Sequence, residues 1–204
     1  MNPNSHIEQI CTDGFKEIQR ARLDLFGELS RDLEKAGIPY WLGYGTLIGA
    51  LRHGGFIPWD DDLDICIPYS YKKALLNSEM NLDITFSEVD NRLYRAHAKG
   101  QADSYVQIDI FVLYENHAED FGRLSELMES EIYPLKRSSF NGIDCFVPNN
   151  PHDWFKRKYG GKDPMKTCLL WNHSINSYWE EGFEIFKYEF DYDELEDRWK
   201  KYAV

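Results

Sequence analysis

Four aspartates crowd into five positions of the segment IPWDDDLDI, Ile57–Ile65: Asp60, Asp61, Asp62 and Asp64. Leu63, Ile65, Cys66 and Ile67 lend the segment strand-forming, apolar character. Alternate side chains of a strand share a face, so the DxD pair Asp62 and Asp64 is expected on one face, with Cα atoms roughly 6.5 Å apart. Two carboxylates at that spacing repel by about 2.5 kcal/mol at an effective dielectric of about 20. A divalent cation relieves such crowding, and hard oxygen ligands at about 2.1 Å suit Mg2+, with Mn2+ as the alternative. The competing reading is a solvated acidic turn, for which Pro58 is a signal. A further acid, Asp109, stands among apolar residues in Gln107–Phe111 (QIDIF). There it is coordinated, paired with Arg92 or Arg95, or facing water at a strand end.

The elements that must position these acids follow from periodicity. Ile7, Ile10, Cys11, Phe15, Ile18, Leu25, Phe26, Leu29 and Leu33 recur mostly at three- and four-residue steps, which predicts a long amphipathic helix stopped by Gly37 and Pro39. Gly14 and Gly27 weaken its continuity. Ile38–Gly43 reads as a strand. Gly45 and Thr46 then turn into a short helix with Leu47, Ile48 and Leu51 on its apolar side, closed by Gly54 and Gly55. Leu63–Ile67 is the acid-bearing strand and Tyr69–Met80 a helix. Ile84–Val89 and Arg92–Ala98 form an antiparallel pair about Asp90–Asn91, and Tyr105–Leu113 is the strand of Asp109. Helices are expected over Ala118–Ser130, Pro151–Tyr159 and Tyr192–Tyr202, a strand over Phe183–Phe190, and a hairpin at Asn141–Gly142.

A glycine turn and helix, a DxD strand, then a strand with a single acid is the order of parts in the nucleotidyltransferase fold typified by DNA polymerase beta. The stretch YGTLIGALRHGGFIPWDDDLDI, Tyr44–Ile65, closely resembles the signature of the LicD family, which includes bacterial phosphorylcholine transferases, fukutin and fukutin-related proteins. QIDIF resembles that family's second acidic strand, and FNGIDCFVPNNPHDWFKRKYGG, Phe140–Gly161, its later segment. The resemblance runs over roughly residues 20–161. It implies an α+β nucleotidyltransferase fold, a mixed sheet flanked by helices, in one domain over residues 1–204: an N-terminal helix (1–37), a catalytic core (38–115) and a helical and hairpin part (116–204).

The resemblance also implies Mg2+-dependent transfer of a phosphoalcohol, such as phosphocholine or ribitol phosphate, from a CDP-linked donor to a glycan hydroxyl. Asp62, Asp64 and Asp109 would then be the catalytic, metal-holding carboxylates. Gly45 and Thr46 would contact phosphate, with Arg52, His53 and Asp61 also on the substrate side. Arg52 and His53 read equally well as cations at a helix C-terminus. Arg95, His97 and Lys99 either reach pyrophosphate or form a solvated strand face, and Trp59 anchors the acidic turn or stacks on a ring. Two other functions share these features: a DxD glycosyltransferase using a nucleotide sugar, and a non-catalytic nucleotide- or glycan-binding module retaining the fold.

Composition narrows the partners. A formal net charge of −12 over 204 residues argues against binding to nucleic acid. Cys11, Cys66, Cys145 and Cys168 are scattered without a CxxC pair, so reduced thiols are expected. No stretch reads as a signal peptide or membrane span, which suggests a cytoplasmic protein, with peripheral membrane association or a partner protein as routes to a membrane-borne acceptor.

Overall fold

The structure, a computed structural model, describes residues 13–57, 60–86, 92–102, 104–113, 129–158, 164–165, 167–171 and 187–191. Helix α1 (Asp13–Lys35) runs unbroken through Gly27. Its Leu25, Phe26, Leu29 and Leu33 are buried, at the spacing a single helical face requires. Gly37 ends it at φ 65, a left-handed geometry that glycine adopts without a Cβ penalty. Both carboxylate oxygens of Asp32, near its C-terminus, accept from Asn81, from the backbone N–H at 2.6 Å and from Nδ2 at 2.8 Å.

Five strands form the main sheet: β1 (Trp41–Leu42), β2 (Asp64–Pro68), β3 (Leu82–Phe86), β4 (Leu93–Ala98) and β5 (Ile108–Leu113). Their order is β1-β2-β5-β4-β3. Only the central β2–β5 pairing is parallel, so the sheet is mixed. The architecture is α+β, a mixed sheet flanked by helices. One face, with Ile65, Ile67, Ile108, Ile110, Val112 and Ala96, packs in one core with the α1 stripe. Each isoleucine or valine among them, fully withdrawn from water, stabilises by about 1.5–3 kcal/mol. The opposite face carries Asp64, Asp109 and Arg95, beside a small cluster of Trp41, Cys66, Leu113 and Ile132.

Helix α2 (Tyr44–His53) follows β1 and ends on Gly54 at φ 70. Leu47 and Ile48 are buried as expected, but Leu51 is 38% exposed and does not belong to the apolar side. After β2 the chain makes a 3-10 turn (Tyr69–Tyr71) and helix α3 (Lys72–Asn77), less than the helix expected to Met80. Ser78 caps α3 in extended geometry and its hydroxyl bonds back to the Ala74 carbonyl, which closes the helix early.

Then follow α4 (Glu129–Ile132), the hairpin β6 (Lys136–Phe140) and β7 (Ile143–Val147), α5 (His152–Lys158), and an antiparallel pair, β8 (Thr167–Trp171) and β9 (Lys187–Asp191). Asn141 and Gly142 turn the hairpin at φ 48 and 84, both positive as the favoured two-residue turn demands. Strand β8 was not foreseen. The expected strand Ile38–Gly43 shrinks to two residues, and the strand of Asp109 begins at Ile108 rather than Tyr105. The turn Asp90–Asn91, Trp59, Tyr159–Gly161 and the expected helix over Tyr192–Tyr202 lie outside the described residues. Among the described residues no helix is long and apolar enough to cross a membrane.

Candidate active site

Strand β2 begins at Asp64, so Asp60, Asp61 and Asp62 belong to the loop before it. The expectation that Asp62 and Asp64 alternate along one strand is therefore corrected, because strand periodicity does not reach back to position 62. Two contacts shape the loop. The Asp60 N–H donates to the Ile57 carbonyl at 2.9 Å, and Gln19 Nε2 donates to the Asp60 carbonyl at 2.7 Å. The loop gathers its own acids: Asp60, Asp61 and Asp62 each offer a carboxylate oxygen within 4.8 Å of the others. Asp61 is exposed, and Asp60 and Asp62 are partly buried.

Asp60, which the sequence allowed only as a turn residue or a support to the acids that hold the metal, has the carboxyl most affected by its neighbours. Desolvation first, then the neighbouring Asp62 charge and a hydrogen bond with it, hold its carboxyl well above the usual range; Asp64 and Asp61 add to the effect. The same carboxylate lies against the first turn of α2, where a Cβ on Gly45 would fall 2.6 Å from Asp60 Oδ2. A helix N-terminus favours that negative charge.

Asp64 is buried on β2, and its backbone is fixed at both ends. Its N–H donates to Thr46 Oγ1 at 2.8 Å and its carbonyl accepts from the Gly43 N–H at 3.0 Å. Thr46 is itself 1% exposed, so its hydroxyl holds the acid strand from within. Across the parallel ladder Asp64 pairs with Asp109. Asp109 Oδ1 accepts from Arg95 Nε and from Gln107 Nε2, each at 3.2 Å. Of the partners considered for Asp109, Arg95 is thus the one that forms. Burial raises the Asp109 carboxyl, Arg95 pulls it down, and Asp62 pushes it up, which places Asp62 within electrostatic reach of β5.

The other expected residues are placed differently. Arg52 Nε donates to His53 Nε2 at 3.0 Å, and Arg52 Nη1 donates to the Pro164 carbonyl at 2.6 Å, so this pair ties the end of α2 to the later chain. His97 is 1% exposed and its ring bonds Thr85, which excludes it from a solvated strand face. Burial and the Arg95 charge keep its imidazole below its ordinary value. Lys99 is anchored to the Met80 carbonyl and Asp83.

Residues 37–150 match the family described as LicD/FKTN/FKRP, nucleotidyltransferase domain. The chain belongs to this family. The LicD/FKTN/FKRP match spans β1 through β7 and includes Asp60, Asp61, Asp62, Asp64 and Asp109. Over 153 residues the chain is 34% identical to an uncharacterized protein of Rickettsia typhi, covering 71% of the chain and 47% of that protein. It is 30% identical over 145 residues to ribitol 5-phosphate transferase FKRP of Homo sapiens, covering 63% of the chain and 29% of that protein. It is 60% identical over 43 residues to lipopolysaccharide cholinephosphotransferase LicD of Haemophilus influenzae, covering 21% of the chain and 15% of that protein. The chain spans about half the length of the rickettsial relatives it matches. The LicD, FKRP and FKTN relatives are phosphotransferases by name.

Beyond the resemblance, sequence reading missed the contacts of Gln19 and Arg22 and the contact between Asp60 and the first turn of α2. A signal existed for Arg22, and for Gln107 beside Asp109. Arg22 falls between Ile18 and Phe26 at four-residue steps, so a polar residue stands in the apolar stripe. Gln107 lies two residues before Asp109 in an extended segment, hence on the same side.

Proposed function

We propose that this chain transfers a phosphoalcohol, choline or ribitol phosphate in class, from a CDP-linked donor to a glycan hydroxyl, with a divalent cation in the acid cluster and a nucleotidyltransferase fold. The single observation carrying this reading is the loop cluster: carboxylates of Asp60, Asp61 and Asp62 lie within 4.8 Å of one another, just ahead of the strand on which Asp64 is the register partner of Asp109, while Asp64 and Asp109 fall outside that close group. The donor set fits Mg2+ or Mn2+. It is all oxygen, and two oxygens across a Mg2+ ion lie about 4.2 Å apart, which the loop carboxylates can span. The relatives named for ribitol phosphate and cholinephosphate transfer support the substrate class.

When bound, the cation supplies charge that offsets the pyrophosphate oxygens. The protein's own part is positioning. Asp62 in the loop and Asp64 on β2 are the residues that would hold the cation. Asp109, kept on the same face and oriented by Arg95 and Gln107, is placed to orient the acceptor hydroxyl and take its proton. The acceptor oxygen forms a new bond to the phosphorus bearing the alcohol, the phosphoanhydride bond breaks, and CMP leaves.

A thermal-shift screen of CDP-, UDP- and GDP-linked donors with Mg2+, followed by an assay of CMP release, tests the proposal. A ligand at a hundredfold its dissociation constant stabilises by about 2.7 kcal/mol. The expected result is a Mg2+-dependent shift with a CDP-alcohol and transfer to a glycan. A shift with UDP-sugars alone points to a glycosyltransferase instead. Binding without turnover on any acceptor points to a module.

A further inference from the structure

Two side chains three residues apart on α1 reach the two acid-bearing segments separately. Gln19 Nε2 donates to the carbonyls of Asp60 at 2.7 Å and Ile57 at 3.4 Å. Arg22 Nε donates to the Gln107 carbonyl at 3.2 Å, and its Nη2 to the Tyr105 carbonyl at 3.0 Å. Residues at this spacing lie on one side of a helix. The first pair of bonds holds the loop that gathers Asp60, Asp61 and Asp62. The second holds the chain entering β5, two residues before Asp109. Arg22 is 8% exposed, and a buried guanidinium with two backbone acceptors is fixed in direction by its planar fork. Its charge also draws the Asp109 carboxyl down. Among the described side-chain bonds of α1, those of these two residues are the ones that reach the acid segments. Both residues precede the segment matched by the family.

On the reading of the acid cluster as a cation site, we infer that Gln19 and Arg22 are positioning residues. From one helix face they set the spacing between the aspartate loop and Asp109, and so the affinity for the divalent cation. Neither touches a carboxylate of the cluster through a hydrogen bond. Each acts through backbone carbonyls, so loss of either is expected to loosen the acids without removing a ligand. Groups that orient ligands in this indirect way typically change metal affinity by about 10–100-fold.

The test uses the full chain with Mn2+, titrated by electron paramagnetic resonance, alongside amide hydrogen exchange and thermal unfolding without metal. Gln19→Leu keeps the bulk and removes the donors. Arg22→Lys keeps the charge and removes the fork. Ser30→Ala, which removes an α1 hydroxyl that donates to the Gly27 carbonyl at 3.3 Å and contacts neither acid segment by a described bond, is the helix control. Gln19→Leu should weaken Mn2+ about tenfold or more and speed exchange at residues 60–63. Arg22→Lys should speed exchange at 107–109 and weaken Mn2+ as well. Ser30→Ala should change neither. Unchanged Mn2+ affinity and exchange in Gln19→Leu, with normal wild-type binding, overturns the positioning role alone. Wild-type protein that takes up no Mn2+ overturns the cation reading, and the positioning role with it.

Discussion

Asp64 on β2 and Asp109 on β5 are direct register partners across the one parallel pairing of the main sheet. Partners on adjacent strands point to the same face with Cα atoms about 4.8 Å apart. The row continues through Arg95, the antiparallel partner of Asp109, to Thr85. Two acids side by side on a buried sheet are costly unless countered. Arg95 answers one of them at 3.2 Å. The aspartate loop just ahead of β2 adds acids whose charge reaches Asp109, and the cation proposed above would counter them.

Asp64→Asn and Asp109→Asn should each lower transfer by about 100-fold or more, because each removes charge placed where the reaction develops its own. The fold should survive, since an amide fills the same space. For Asp109→Asn, Arg95 is left with a neutral acceptor, and at 34% side-chain exposure it can hydrate instead. CMP release and far-UV circular dichroism read the two effects separately. Normal turnover in either variant would remove that residue from the site.

Gly45→Ala separates site geometry from fold stability. Gly45 is in the first turn of α2, where alanine favours the helix by up to about 1 kcal/mol. Its Cβ would meet Asp60 Oδ2 at 2.6 Å, so the carboxylate must move. The expected outcome is a melting temperature within a few degrees of wild type, with weakened Mg2+ binding by calorimetry. Unaltered Mg2+ affinity would show that Asp60 is not part of the cation site.

Much of this arrangement was legible in the residues, and the limits have physical causes. The α1 stripe and its glycine stop, the Asn141–Gly142 turn and the antiparallel partners of β3 and β4 are encoded locally. The parallel pairing of β2 with β5 is not: it joins residues far apart in sequence, and neither strand carries a mark of its neighbour. Asp62 was placed on a strand by alternation, yet the Ile57–Asp60 and Gln19–Asp60 bonds turn the chain before β2 starts. That turn, invisible to periodicity, is what brings Asp60 against the first turn of α2.

Asn141 does more than turn a hairpin. Its N–H donates to the Gly54 carbonyl at 2.7 Å, and its Oδ1 accepts from the Phe56 N–H at 2.9 Å. It thereby braces the chain leading from α2 to the aspartates. Asn141→Ala loses the side-chain bond and puts alanine at φ 48, a cost of about 1–2 kcal/mol for the backbone alone. Asn141→Gly relieves the backbone but still loses the bond. Thermal unfolding should rank wild type above Gly above Ala, at about 2–4 °C per kcal/mol for a chain of this size. Equal melting temperatures for Ala and Gly would show that the left-handed geometry carries no cost there.

The raised Asp60 carboxyl makes the metal-free protein sensitive to pH in a defined direction. A carboxyl that holds its proton more tightly folded than unfolded favours folding at low pH. That contribution is complete below the ordinary carboxylate value and is lost as pH rises through the higher folded value. Asp109, also raised, acts with the same sign. His97, held low, acts oppositely, since the unfolded chain takes up its proton first as pH falls. Asp83, kept low by the Gly100 N–H, likewise loses stability on acidification. Total stability therefore mixes signs, and the Asp60 part must be read by difference. Asp60→Asn resembles the protonated acid and can still donate to Asp62. Against wild type, it should be near neutral at pH 4 and increasingly stabilising toward pH 8 in the presence of a chelator. Each tenfold change in proton affinity is worth about 1.4 kcal/mol. Mg2+ should reverse the order at pH 8, because it stabilises the ionised wild-type cluster by mass action and the variant has lost a ligand oxygen's charge. Urea unfolding at the two pH values, with and without Mg2+, reads all four states. An Asp60→Asn difference that does not grow with pH would mean the carboxyl is ionised at an ordinary pH, and that the crowding at the head of β2 is relieved by some other group.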